Sequence, residues 1–211
     1  MKLFNFWRSS ASYRVRLALS FKNLPYEYVA VNLTKGEQHQ AEHIARNPWH
    51  SVPVLQLDDG TLIPQSVAIV EYLEEKHPSP ALFPKDLVAR ARMRAMVETV
   101  NSGIQPLHNL QILNYVRDEL KGDPKPWSEK WIGNGLDALE AMAKSSAGKF
   151  LVGDAFTFAD VCLLPQLFGA RRFASVDPAR YPTLVRVEAE CMKLDFVQKA
   201  RPEAQPDAVP A

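Results

Sequence analysis

The chain has 211 residues, of which 46% are hydrophobic and 23% are charged, as in a globular protein long enough to bury a core. Its net charge of +1 excludes the overall basic field on which nucleic-acid binding depends. There is no signal-peptide pattern, no apolar run of about 18 residues and no closely spaced cysteine pair. We therefore expect a cytoplasmic protein that neither spans a membrane nor uses a disulfide framework.

The first part of the chain alternates between strand-like and helix-like patterns. Apolar residues recur with period two in the strand candidates and with helical spacing in the helix candidates. We predict strands at 2–7, 26–33, 52–57 and 61–64, and helices at 12–23, 37–46 and 66–77. The Asp58-Asp59-Gly60 step between two apolar runs is a strong hairpin signal. This order predicts a small mixed sheet that is covered by helices.

Three prolines between Pro78 and Pro84 indicate a linker after that sheet. Strand signals stop there, and the later patterns are helical. They cover 87–119, 127–145, 158–172 and 184–194. The predicted fold class is therefore α/β + all-α, with an α/β domain at 1–80, a linker at 81–88 and an all-helical domain at 89–211.

Thr157 and Asp160 precede an apolar run and have the spacing of a capping box. In such a box each side chain binds a backbone amide that the first helical turn leaves without a partner. We assign this pair a structural role.

Three hydroxyls crowd the end of the first predicted strand, in the stretch Arg8-Ser9-Ser10-Ala11-Ser12. One interpretation is a helix N-cap, supplied by Ser10 or Ser12, with basic residues on a solvated face. Capping does not explain Ser9, which lies too early, or Arg8 beside it. The second interpretation is a binding site for an anionic or nucleophilic group.

Two further steps suggest binding through the backbone. The Val52-Pro53 bond is either trans or cis, and a cis bond would leave the Val52 N–H and C=O free to pair with an extended peptide. Ser66, after Gln65, is either a helix N-cap or a ligand for a carboxylate at the helix N-terminus.

His39 and His43 have the i, i+4 spacing of zinc ligands, but a glutamate of the HExxH type and a third ligand are missing. We interpret them as surface histidines and predict no metal site.

Several stretches together resemble the zeta class of glutathione transferases, and the resemblance covers almost the whole chain. They are SSASYRVRLAL from Ser9, Asn47-Pro48 with Val52-Pro53, the QSxAIxEYLEE pattern at 65–75, IQPLxNL at 104–110, GDxxTxAD at 153–160, ARRF at 170–173 and RPxxQPD at 201–207.

The resemblance implies a thioredoxin-like domain followed by a helical glutathione-transferase domain, a homodimer, and glutathione as cofactor. It also implies cis–trans isomerisation of a small acidic diketo substrate, maleylacetoacetate to fumarylacetoacetate, by reversible thiolate addition. Maleylpyruvate isomerisation and glutathione transfer to α-haloacids are the alternatives, and a non-catalytic glutathione-binding protein is a third.

Site residues follow from the resemblance position by position. Catalytic roles fall to Ser9, Ser10 and Arg8, and substrate contacts to Arg8 and Arg172, with Arg171 a weaker candidate. The implied glutathione-binding residues are Ser9, Ser10, Ala11, Gln38, Val52, Gln65, Ser66, Gln105, Asn109 and Gln111.

Ala11 is one departure, since the family pattern has cysteine at this position. An isomerase that takes its thiolate from glutathione has no need of that cysteine. The substitution argues against any reaction that requires a protein thiol.

Overall fold

The computed structural model describes residues 1–209, and the chain divides into two compact units. The first contains Met1–Ala81 and the residues from Leu194 onward, and the second contains Leu82–Lys193.

The first unit is built on a four-stranded sheet. Its strands are β1 (Lys2–Asn5), β2 (Glu27–Ala30), β3 (Val54–Gln56) and β4 (Leu62–Pro64). They lie in the order β2-β1-β3-β4, with β1 parallel to β2 and the other pairs antiparallel. The helices are α1 (Ser10–Phe21), α2 (Ala41–Arg46) and α3 (Ser66–Lys76). The predicted mixed sheet and its order of elements are confirmed.

Alternation along β1 supplies both sides of the core. Phe4 belongs to a buried cluster with Phe6, Val52 and Val54 on one face of the sheet. Leu3, the preceding residue, points to the opposite face and is completely buried there. Helices α1 and α3 pack against each other through their apolar faces. Central β1 is therefore enclosed, and the residues that follow it are held against a rigid support.

The last part of the chain packs on this first unit. Helix α9 (Asp195–Ala200) lies against α1, where Ser20 donates to the Phe196 carbonyl at 2.9 Å. The Phe21 and Phe196 rings meet edge to face, with centroids 5.2 Å apart. This division differs from the predicted one, which assigned all of 89–211 to the helical domain. The two divisions differ because α9 contacts α1, and hydrophobic periodicity does not reveal contacts between residues so far apart in the sequence.

The second unit is helical, and residues 82–193, all of which the structure describes, contain no strand. Its helices are α4 (Leu87–Glu98), α5 (Leu110–Asp118), α6 (Pro124–Lys144), α7 (Phe158–Ala170) and α8 (Pro182–Cys191). A π-helical turn and a 3-10 turn at Thr99–Ile104 and Gln105–His108 interrupt the helix predicted over 87–119. No helix in the described part of the chain is both long and apolar enough to cross a membrane.

Helix α7 forms the centre of the second unit, and the predicted capping pair starts it. The Asp160 carboxylate accepts from the Thr157 N–H at 2.8 Å, from the Thr157 hydroxyl at 2.9 Å and from the Leu151 N–H at 2.9 Å. Burial nevertheless raises the pKa of Asp160 to about 6.

This raised pKa predicts that Asp160 makes the protein more stable as the pH falls from about 7 to about 4. The folded state then binds a proton that the unfolded state, with its ordinary carboxyl pKa, has released. We expect the free energy of unfolding of wild type minus that of D160N to rise in this interval, by at most about 3 kcal/mol. Urea unfolding at several pH values measures it, and a difference independent of pH would contradict the prediction.

Candidate active site

Ser9 is the N-cap of helix α1. Its Oγ accepts a hydrogen bond from the Ser12 N–H at 3.2 Å, and the helix begins at Ser10. The prediction that Ser9 lies too early to cap, and that the helix begins at Ser12, is therefore wrong. Ser12 is buried inside the helix, and its Oγ accepts from the Phe6 N–H.

Capping uses the Ser9 oxygen as an acceptor and leaves its hydrogen available. That hydrogen has no acceptor among residues 1–209, whereas the oxygen is oriented by the Ser12 amide. The first amides of any helix have no carbonyl partner inside it, and they form its positive dipole end, which at α1 lies beside Ser9. An anion at this turn would meet one hydroxyl donor and a field of the favourable sign.

The arginines around this turn have different roles. Arg8 is partly exposed beside the Trp7 ring, with its Cζ 5.5 Å from the ring centroid, and it forms no ion pair with the described residues. Arg14 and Arg16 are buried, with 1% and 0% exposure. The interpretation of the basic residues as a solvated face is therefore wrong for these two.

Arg16 binds backbone rather than ligand. Its Nη2 donates to the Trp7 carbonyl at 2.8 Å, its Nη1 to the Phe6 carbonyl at 3.3 Å and its Nε to the Ala200 carbonyl at 3.1 Å. Burial lowers the pKa of Arg16 from its usual value. The guanidinium thus holds the strand end from which the Ser9 turn leaves.

The strand register brings three of the predicted segments to one end of the sheet. The antiparallel register of β1 and β3 ends with Phe4 opposite Val54, and Phe6 and Val52, each two residues away from that pair, lie with it in one buried cluster. Strand β4 ends at Pro64 opposite the start of β3, so Gln65 follows at the same end. The Ser9 turn leaves β1 at this end too.

The Val52-Pro53 bond, left open above, is cis. Neither the N–H nor the C=O of Val52 forms a hydrogen bond within residues 1–209. Gln38 lies in a 3-10 turn, Glu37–His39, and its Oε1 is buried without a partner in the described structure. Because buried polar atoms are normally hydrogen-bonded, this oxygen indicates a ligand group or water.

Gln65, rather than Ser66, occupies the N-cap position of helix α3. The φ of Gln65 is 72°, in the left-handed region that favours glycine. Ser66 is the first helical residue, so its assignment as N-cap is wrong. Its buried Oγ accepts from Arg14 Nη1 at 3.2 Å. A strained backbone of this kind is often kept where it orients groups toward a ligand.

The two histidines with zinc-like spacing do not share a helix face. An extended residue, Gln40, separates the turn of His39 from the helix of His43. His43 is buried with Nε2 3.0 Å from the Ser51 carbonyl, so its interpretation as a surface residue is wrong. Within the described residues, no cluster of three or more side chains could hold a metal ion.

Asn47 is a residue of this unit that sequence reasoning left without a role. Its buried side chain donates to the Ser51 carbonyl at 2.8 Å, the acceptor that His43 also contacts. Two side chains therefore hold the residue before Val52. The Asn47-Pro48 step was the available signal, since asparagine before proline is typical of an ordered turn.

The candidates of the second unit all lie at helix starts or ends. Gln105 opens a 3-10 turn, Asn109 is the N-cap residue of α5 and Gln111 follows in its first turn. Arg172 is exposed just after α7, with its Cζ 5.0 Å from the centroid of the Phe173 ring. Their roles in binding stay predictions.

Arg171, the weaker candidate, is engaged elsewhere. It donates twice to the Glu188 carboxylate, at 2.6 Å each, and this ion pair raises the pKa of the guanidinium. Because the Arg171 guanidinium is already paired with the Glu188 carboxylate, it is less able to bind an acidic substrate.

Comparison with known proteins places this arrangement in a family. Models of the glutathione S-transferase N-terminal and C-terminal domains match residues 1–75 and 130–196. A probable maleylacetoacetate isomerase 2 of Drosophila melanogaster is 46% identical over 210 residues, which are 99% of this chain and 90% of the relative. The chain belongs to the glutathione S-transferase family.

Solved structures narrow the assignment. A bacterial maleyl pyruvate isomerase of the zeta class superposes with a TM-score of 0.94 at 43% identity, over 99% of this chain and 100% of the other. A maleylacetoacetate isomerase of Anaeromyxobacter dehalogenans with bound glutathione superposes with a TM-score of 0.90 at 50% identity. The match covers 99% of this chain and 97% of the other. This chain is thus a zeta-class enzyme, with the predicted thioredoxin-like and helical glutathione-transferase domains.

Proposed function

We propose that this enzyme catalyses the glutathione-dependent cis–trans isomerisation of maleylacetoacetate to fumarylacetoacetate. The observation that carries the proposal is the Ser9 hydroxyl, whose oxygen is oriented by a helix amide and whose hydrogen remains available for an anion. The names of relatives at 44–46% identity, maleylacetoacetate isomerase and maleylpyruvate isomerase, support the reaction type.

The first unit has groups that fit glutathione at the end of its sheet. The buried Gln38 oxygen lacks a donor, and the Val52 main chain lacks partners among residues 1–209. These groups suit the cysteinylglycine part, which has amides to exchange. The start of α3 at Gln65 and Ser66 suits the γ-glutamyl carboxylate, because helix N-termini bind anions.

When bound, glutathione supplies a thiolate that adds reversibly to the conjugated double bond and so permits rotation about it. The task of the chain is to stabilise that sulfur as an anion. An ordinary thiol, with a pKa of about 8.5, is only a few per cent ionised at pH 7. One hydrogen bond from Ser9 to a charged acceptor contributes about 1.5–3 kcal/mol, or one to two units of pKa.

Arginine is suited to hold an acidic substrate, because its fork binds carboxylate in two places and does not lose its charge. In the first unit Arg8 is suited to this role, because its guanidinium forms no ion pair with the residues described there. In the second unit Arg172 is proposed for the same role by resemblance. Gln105, Asn109 and Gln111 are proposed in the same way as glutathione-side residues.

The test is a side-by-side assay of purified enzyme with maleylacetoacetate and maleylpyruvate, with and without glutathione. We expect isomerisation of the first substrate that depends on glutathione, at the higher kcat/KM. Higher kcat/KM with maleylpyruvate would change the substrate but keep the mechanism. Failure to isomerise either substrate, with conjugation of an α-haloacid instead, would overturn the proposal.

We also propose a homodimer, which the resemblance implies. Two large apolar side chains at the start of α4, Leu87 and Val88, are 77% and 59% exposed. Apolar groups at neighbouring exposed positions are typical of a surface that another chain covers. The mass in solution, measured by sedimentation, tests this proposal.

A further inference from the structure

The stretch RPxxQPD at 201–207 carries buried and hydrogen-bonded side chains but has no part in the proposed function so far. Its Gln205 is buried, and its Nε2 donates to the carbonyls of Lys199 and Arg201 at 3.0 and 2.7 Å. Those carbonyls lie at the end of α9, where helices leave acceptors without partners. Gln205 therefore fixes the direction in which the chain leaves α9.

That direction brings Asp207 to the first strand of the sheet. Its Oδ2 accepts from the Trp7 N–H at 3.2 Å, and its Oδ1 accepts a short hydrogen bond from the Tyr28 hydroxyl. Burial and this hydrogen bond raise the pKa of Tyr28 well above its usual range, so the phenol remains a donor. The carboxylate thus joins strand β2 to the residue two positions before Ser9.

Trp7 is consequently held on both sides of its backbone. Its N–H binds Asp207, and its C=O binds the buried Arg16 at 2.8 Å. Arg16 also binds the Ala200 carbonyl, so both restraints involve the same C-terminal segment. Only Arg8 separates Trp7 from Ser9, and a tethered Trp7 therefore limits where the Ser9 hydroxyl can lie.

We propose that Asp207 is a positioning residue for the thiolate site: through Trp7, it holds the turn that presents the Ser9 hydroxyl. This inference rests on the proposed role of Ser9. Two hydrogen bonds to one charged carboxylate are short-ranged and directional, and a displacement of about 1 Å at a catalytic group is costly.

The charge of Asp207 offers a way to separate positioning from a direct effect. If the carboxylate acted on the sulfur by its charge alone, removing it would make the bound thiol more acidic, because a like charge disfavours an anion. If it acts by positioning, removing it weakens the Ser9 hydrogen bond and makes the thiol less acidic. The two effects have opposite signs.

The experiment measures the pH midpoint of thiolate formation for glutathione bound to the enzyme, by ultraviolet absorbance without substrate. We compare wild type with D207A, with D207N and with E203A, which removes an exposed acid of the same segment. We expect D207A to raise the midpoint by about half a pH unit or more. D207N can still accept from the Trp7 N–H and should leave the midpoint within about 0.2 unit.

Hydrogen exchange of the Trp7 amide in the free protein provides a second readout. It should accelerate in D207A, but not in E203A. If D207A does not fold, D207S replaces it, because serine is too short to span both donors. A midpoint that falls or stays constant in the Asp207 variant while exchange accelerates would overturn the inference. Failure of wild type to ionise bound glutathione would instead overturn the proposed function.

Discussion

Replacing Ser9 by alanine is expected to lower isomerase kcat/KM at least about tenfold. The variant loses the hydroxyl hydrogen, and a hydrogen bond to a charged acceptor is worth about 1.5–3 kcal/mol. It also loses the N-cap of α1, which costs about 1 kcal/mol of stability. Steady-state kinetics measure the first effect, and urea unfolding measures the second.

A matched pair of variants separates these two effects. Aspartate at position 9 can accept from the Ser12 amide as serine does, but at neutral pH it has no hydrogen to donate. We expect S9D to retain the stability of the wild type and to be at least as inactive as S9A. Threonine keeps both functions, so S9T should stay active. An S9D variant with wild-type turnover would show that Ser9 acts only as a helix cap.

Replacing Arg16 by methionine is expected to destabilise the folded protein by about 3–5 kcal/mol, the largest loss of stability that we predict. The guanidinium is completely buried and donates to the carbonyls of Phe6, Trp7 and Ala200 and to Asn5 Oδ1. Methionine fills similar space but leaves these acceptors without donors, and an unsatisfied buried acceptor costs about 1–3 kcal/mol.

The control for Arg16 is Arg8, a neighbouring arginine that is partly exposed. R8M should change the free energy of unfolding by no more than about 0.5 kcal/mol, as at other surface positions. The loss of unfolding free energy in R16K should lie between those of R8M and R16M, since one ammonium group cannot reach acceptors on three sides. Urea unfolding of the three variants measures the series. An R16M variant within about 1 kcal/mol of wild type would contradict the structural role.

The order of strands and helices in the first unit was predictable because it depends on patterns within single elements. Period-two alternation and the Asp-Gly turn at Gly60 are local features. The packing of residues 194–209 on the first unit was not predictable, because their partners on α1 are about 180 positions away. Periodicity indicates that a face is apolar, but not which surface covers it.

The site was predictable in part. Ser9 stood out because three hydroxyls follow a strand, but its capping role was missed because the helix begins two residues earlier than its apolar pattern. Arg16 looked like a solvated basic residue because arginine is rarely buried. Only the three-dimensional structure shows that backbone carbonyls, including that of Ala200, satisfy it. Backbone acceptors have no signature in the sequence.

The hydrogen bond from Arg16 to Ala200 has a consequence for synthesis of the chain. Its partners are 184 residues apart, and ribosomes add about 5–20 residues per second. Ala200 is therefore made roughly 10 to 40 seconds after Arg16, and the whole helical unit is made in between. During this interval the Arg16 guanidinium lacks one of the backbone acceptors that it binds in the folded protein. We expect the first unit to become fully stable only after residues 195–200 have been made, which leaves it exposed to chaperones and proteases until then.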